Sequence, residues 1–227
     1  MALLCAAIAF IGFLPTYWAP MWSSTLQVPR IAHLHGMVFF AWTLFFVAQT
    51  SLVANGRTAM HRELGLLGIA LATAMLFTGT MIALNSMNAF IAQGYAEEAR
   101  AFALVPLSGI AYFAIVVAYA IANTKTPAVH KRAMVLATVA LLQPAVARWF
   151  VFFLAPVGAQ GPVPVIFTVV PGIVSDLPLV YAIIHDWRTR GRPHRIYVIG
   201  IVTLLAMQVL RVPFGTSGTW QSIAKWL

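Results

Sequence analysis

The sequence predicts an all-α polytopic membrane protein, a bundle of about seven transmembrane helices forming a single domain over residues 1–227. Three observations carry this. Only 8% of residues are charged, where a soluble domain carries about 25%. Hydrophobic residues make up 61% of the chain and mean hydropathy is +0.88. The apolar residues run in blocks long enough to cross a bilayer, rather than alternating with polar ones.

The blocks fall at roughly 2–19, 31–54, 64–85, 103–122, 133–155, 165–184 and 196–213. The first is the weakest, because Pro15 and Pro20 shorten it. It has no preceding basic region and no small-residue cleavage site, so it reads as a retained helix rather than a secretory signal. The second ends at Asn55-Gly56-Arg57, and the third opens after His61-Arg62-Glu63. The longest connector, around Asn88–Arg100, is expected to hold an interfacial helical turn with Glu97 and Glu98. Lys125-Thr126-Pro127 separates blocks four and five, Gly158-Ala159-Gln160-Gly161-Pro162 blocks five and six, and Arg190-Gly191-Arg192-Pro193 blocks six and seven. There is no internal repeat and no linker long enough to divide domains.

Orientation follows from the basic residues. Connectors two-to-three, four-to-five and six-to-seven hold nine: Arg57, Arg62, Lys125, Lys131, Arg132, Arg188, Arg190, Arg192 and Arg195. The other side holds four: Arg30, Arg100, Arg211 and Lys225. The expected arrangement is a bacterial cytoplasmic membrane protein with its N-terminus inside and its C-terminus outside. The net charge of +9 is then assigned to lipid-facing loops that meet anionic headgroups, not to nucleic acid. The single cysteine, Cys5, excludes an intrachain disulfide and any cysteine-cluster metal site.

Polar side chains within apolar blocks are the functional candidates, because burying them in hydrocarbon is costly. His35, Trp42 and Gln49 are spaced by seven and share one face of the second helix, with His33 about 200° from His35. That face lines a polar seam or simply ties helices together. Arg148 and Arg211 each lie sixteen residues beyond an inner-face arginine, ~24 Å of helical rise. With a histidine they are expected either to form an outer anion-binding layer or to snorkel to headgroups. In block six, Pro171 and Pro178 flank Asp176 near the midplane, which predicts a broken helix of the kind that builds ligand sites. Asp176 is expected to interact with Arg148.

His61, His130, His185 and His194 all fall at the inner ends of spans, where they converge on a metal or b-type haem or serve as interfacial anchors. Walker, Gly-x-Ser-x-Gly, dinucleotide and His-Glu-x-x-His motifs are absent.

The string His33-Leu34-His35-Gly36, Trp42, Gln49, Gly56-Arg57 and His61-Arg62-Glu63-Leu64-Gly65, with His130-Lys131-Arg132-Ala133-Met134 and Gly191-Arg192-Pro193-His194, resembles a family of uncharacterised bacterial multi-span membrane proteins. This resemblance covers most of the chain and implies the fold without an activity. The histidines at span ends are also similar to those of transmembrane cytochrome b proteins and haem A synthase-like bundles. That likeness implies paired haem ligands, although the outer layer offers His33 and His35 on one helix only. Two readings follow. The first is a haem- or metal-binding membrane redox protein using His61, His130, His185, His194 and His35, favoured by six histidines against five acidic residues. The second is a transporter or small-molecule binder using Arg148, Asp176, Arg211, Gln49 and Trp42. Membrane protein partners are compatible with both.

Overall fold

The computed structural model describes residues 1–156 and 158–227, and among them every regular element is helical. Seven helices are long and apolar enough to cross a bilayer: α1 Ala2–Trp22, α2 Arg30–Ala54, α3 Thr58–Ala92, α4 Ala96–Ala122, α5 Pro127–Leu154, α6 Val165–Arg190 and α7 Arg195–Gly215. A short α8, Gly218–Ala224, follows. The chain is a multi-pass integral membrane protein. Large apolar side chains such as Leu66, Phe77, Ile115 and Val202 face outward, as lipid-contacting residues must.

Alternating helix directions place the connectors α2–α3, α4–α5 and α6–α7 at one end of the bundle, called here the basic end, together with Met1. The α3–α4 connector is shorter than the sequence suggests. Asn88 to Ala92 complete α3, and Glu97 and Glu98 form the first turn of α4. Between them Gly94 adopts φ +95°. The Tyr95 and Gly94 amides then reach back to the Phe90 and Ile91 carbonyls, both at 3.0 Å. Only glycine takes this left-handed position without steric penalty, and the two bonds satisfy carbonyls that the helix end leaves open.

Helices α1 to α4 pack in sequence order, and α5 closes the arc by touching both α1 and α4. Helix α7 packs against α4, α5 and α6, so α5 is shared between both halves of the bundle. Its contact with α1 is tight. A Cβ on Gly12 would lie 2.5 Å from the Ala145 Cβ and 2.6 Å from its carbonyl oxygen, so only glycine allows these backbones to approach. Phe113, Met75, Leu179, Leu204 and Val139 fill the core. Trp42 stacks edge-on against Phe113 at 5.0 Å and donates its indole N–H to Thr138 at 3.4 Å, joining α2, α4 and α5.

Four spans are interrupted; in α3 the segments Thr58–Glu63 and Gly65–Ala92 meet at Leu64. In α1 a π-helical turn covers Leu14–Trp18, around Pro15. In α5 the segments Pro127–Ala140 and Gln143–Leu154 meet at a turn. Pro144 explains it, because its ring lacks an N–H and crowds the carbonyl four residues earlier, that of Ala140. In α6 a 3-10 turn at Val165–Thr168 leads into Val169–Ser175, which breaks at Asp176 before Leu177–Arg190. Pro178 acts on Val174 in the same way.

Candidate functional site

The break in α5 meets the 3-10 turn of α6, where Gln143 bonds Thr168, and polar groups turn into the bundle. On α7, Leu204, Gln208, Arg211 and Gly215 are buried, and their spacing of three and four defines the inward face. Gln208 donates its amide N–H to Asp176 Oδ2 at 3.0 Å. One turn further, Arg211 donates from Nε to the Ser108 hydroxyl of α4 at 2.7 Å and from Nη1 to Gln143 Oε1 of α5 at 2.9 Å. Gln143 in turn donates to the Thr168 carbonyl of α6 at 2.9 Å. Four helices are thus joined by one polar network. Asp176 and Gln208 are each only 2% exposed and Arg211 only 3%.

The network is incomplete in one place. Asp176 Oδ1 and Gln208 Oε1 are buried, and no donor from the described residues reaches either. A buried acceptor left open costs about 1–3 kcal/mol, and these two sit on directly bonded side chains. Packing holds them there: a Cβ on Gly172 would come within 2.8 Å of the Gln208 side-chain carbon. Between α4 and α7, a cleft of about 560 Å³ opens toward the lipid side of the bundle. Leu104, Met207, Leu210 and Phe214 form its apolar walls, and Ser108 and Arg211 line its polar part. This volume is in the range of small-ligand pockets, ≈ 300–1,000 Å³.

The expected single layer of Arg148, Arg211 and a histidine is divided between the two halves. Arg148 lies over the Phe13 ring at 4.4 Å and donates to the Thr16 hydroxyl at 3.1 Å. His35 is half-buried beside Phe39. His35 Nδ1 and Arg148 Nε have no partner among the described residues. His33 points away and meets the Tyr17 hydroxyl at 2.9 Å, as the angle between the two histidines requires. The expected Asp176–Arg148 contact is not formed, since Asp176 is held by Gln208. The reason lies in α5. Arg148 shares the Ala145 face, which is turned to α1, whereas Gln143 is two residues earlier, about 200° away, and faces α6 and α7. Arg211 does not snorkel; its guanidinium is bonded inside the bundle.

At the basic end the four histidines separate. His61 and His130 come together with ring centroids 6.3 Å apart. His61 Nδ1 meets Gln49 Oε1 at 2.8 Å, and Gln49 also donates to the His61 carbonyl at 3.4 Å. His130 Nδ1 meets the Ala120 carbonyl at 2.9 Å. His185 is exposed beside Tyr181. His194 caps α7, its Nδ1 accepting the Ile196 N–H at 3.3 Å. Burial, reinforced by the Arg132 charge, lowers the pKa of His194 from its ordinary value. No group of three His, Cys, Asp or Glu side chains converges among the described residues.

No family model, curated protein or solved structure matches the chain. The functional reading therefore rests on the geometry alone.

Asp176, Arg211 and the break in α6 stand out in the sequence pattern, whereas Ser108, Gln143 and Gln208 do not. Gln208 was detectable, being one turn before Arg211 on the same face. Arg132, one of the nine basic residues of the inner connectors, has a partner in Asp186. They form a two-pronged ion pair, Nε to Oδ2 at 2.7 Å and Nη2 to Oδ1 at 2.5 Å, with both residues at most 4% exposed.

Proposed function

We propose that this membrane protein binds, and passes across the bilayer, a small species that donates hydrogen bonds or carries positive charge. The proposed site is the Asp176–Gln208 pair at mid-depth. The observation that carries this reading is the pair of buried acceptors, Asp176 Oδ1 and Gln208 Oε1, on directly bonded side chains and without a donor among the described residues. A proton, an ammonium group, a hydroxyl or a small cation supplies what they lack. Arg211 makes no hydrogen bond to either oxygen: its Nε goes to Ser108, its Nη1 to Gln143 and its Nη2 to Met207 Sδ. The breaks in α5 and α6 supply hinges, and broken helices at mid-depth suit alternating exposure of a site. We place the basic end in the cytoplasm, against anionic headgroups, with the N-terminus inside and the C-terminus outside a bacterial inner membrane.

Proteoliposomes with an entrapped pH-sensitive dye test the reading. Imposed proton gradients, with and without external sodium or a primary amine, should dissipate faster in loaded vesicles than in empty ones. Asp176→Asn should abolish the difference while the protein remains folded. Flux that is unchanged by Asp176→Asn, or equal to that of empty vesicles under every condition, excludes transport at this site.

A further inference from the structure

We infer that His61 and His130 form a transition-metal site at the basic end of the bundle, independent of the Asp176 site. Both imidazoles are fixed in the same tautomer. The Ala120 carbonyl can only accept, so His130 Nδ1 donates, which in the neutral ring leaves the lone pair on Nε2. For His61, the bond from Gln49 Nε2 to the His61 carbonyl orients the amide, so Gln49 Oε1 accepts from Nδ1 and His61 Nε2 is likewise unprotonated. An imidazole whose Nδ1–H is held by a carbonyl or amide oxygen is the usual arrangement of a metal-binding histidine.

The spacing agrees with this. Two metal–nitrogen bonds of ~2.0–2.1 Å, added to the two ring radii, match a centroid separation of 6.3 Å when the two nitrogens face each other in line across the metal; a tetrahedral ion would draw the rings closer together. The two rings come from different helices, α3 and α5, and a third anchor comes from α2 through Gln49. Because no third His, Cys, Asp or Glu joins them among the described residues, the metal must bring its remaining ligands with it. Haem iron does so through its four ring nitrogens and takes two axial imidazoles. A free divalent ion such as zinc or copper would complete its shell with water. Arg62 and Lys131, each next to a ligand in sequence and exposed, supply positive charge where haem carboxylates would lie.

The test is to purify the full chain from cells supplied with a haem precursor and, separately, with zinc or copper salts, then record absorption spectra and metal content. The expected result is about one metal per chain, as a Soret band that moves on reduction (haem) or as bound zinc or copper without one (free ion). His61→Ala and His130→Ala should each lower occupancy at least tenfold, and His185→Ala should leave it unchanged. Gln49→Leu should weaken binding by about 10–100-fold, as expected for loss of a group that orients a ligand. Added imidazole should restore the centre in His130→Gly, which a loss of folding would not permit. A colourless, metal-free protein from every culture overturns the inference, as does metal that stays bound in both alanine variants.

Discussion

The Gln208 side chain holds one oxygen of Asp176 at 3.0 Å, while the second oxygen of the carboxylate and the amide oxygen of Gln208 are buried without a donor among the described residues. On the proposed reading this contact is half of a binding site. Asp176→Asn keeps an acceptor for the Gln208 N–H and adds a donor near the open oxygens. We expect the folded state to survive with a change within about 1 kcal/mol, the net worth of one hydrogen bond. Asp176→Leu removes the acceptor and should cost about 1–3 kcal/mol. Thermal unfolding in detergent measures both, and equal destabilisation would show that the carboxylate's hydrogen bond does not hold the fold.

Arg132 and Asp186 make the opposite case, a complete pair. Removing one partner leaves a buried charge uncompensated, so Arg132→Met should destabilise by roughly 3–5 kcal/mol. Replacing both, with Arg132→Met and Asp186→Leu, should recover most of that loss. Arg190 stands 3.7 Å from Asp186 on an exposed side chain, and its removal should change stability by about 0–1 kcal/mol. A double variant no more stable than the single one would show that the two charges are not coupled.

The spans were legible because hydropathy acts locally: a block of apolar residues must be helical in lipid wherever it packs. The break at Asp176 was legible for the same reason, since Pro178 acts on its own helix. What could not be read was which face of α5 meets which neighbour. Pro144 interrupts that helix, and the Gly12–Ala145 approach then turns Arg148 toward α1 and Gln143 toward α7. The pairing of Arg132 with Asp186, 54 residues apart, is likewise a matter of which helices touch. In the sequence each residue lies among other charges that outweigh it as a marker of the membrane edge.

The proposed orientation predicts that a C-terminal alkaline phosphatase fusion is active and a C-terminal green fluorescent protein fusion is dark. Seven spans put the termini on opposite sides, and the nine-to-four distribution of basic residues selects the cytoplasmic side for Met1. The reverse pattern of the two reporters would turn the bundle over, and with it the assignment of the histidine pair to the inner face.

His194 predicts how stability depends on pH. Its Nδ1 accepts the Ile196 N–H at the start of α7, so the cap requires the unprotonated ring. Burial and then the neighbouring Arg132 lower its folded-state pKa below the unfolded value of 6.5. Between these two values the unfolded chain binds a proton that the folded chain does not, so folding stability rises with pH across that window. The His194 contribution should be complete above about pH 6.5 and decline as pH falls toward the lowered pKa, because protonation both removes the cap and adds a positive charge near Arg132. His194→Asn keeps an N-cap acceptor but does not titrate. The variant should therefore match the wild type near pH 5 or exceed it, and show a flatter unfolding profile between pH 5 and 7, on the order of the His titration range. Identical pH profiles for the two proteins would exclude His194 as the source of the acid sensitivity.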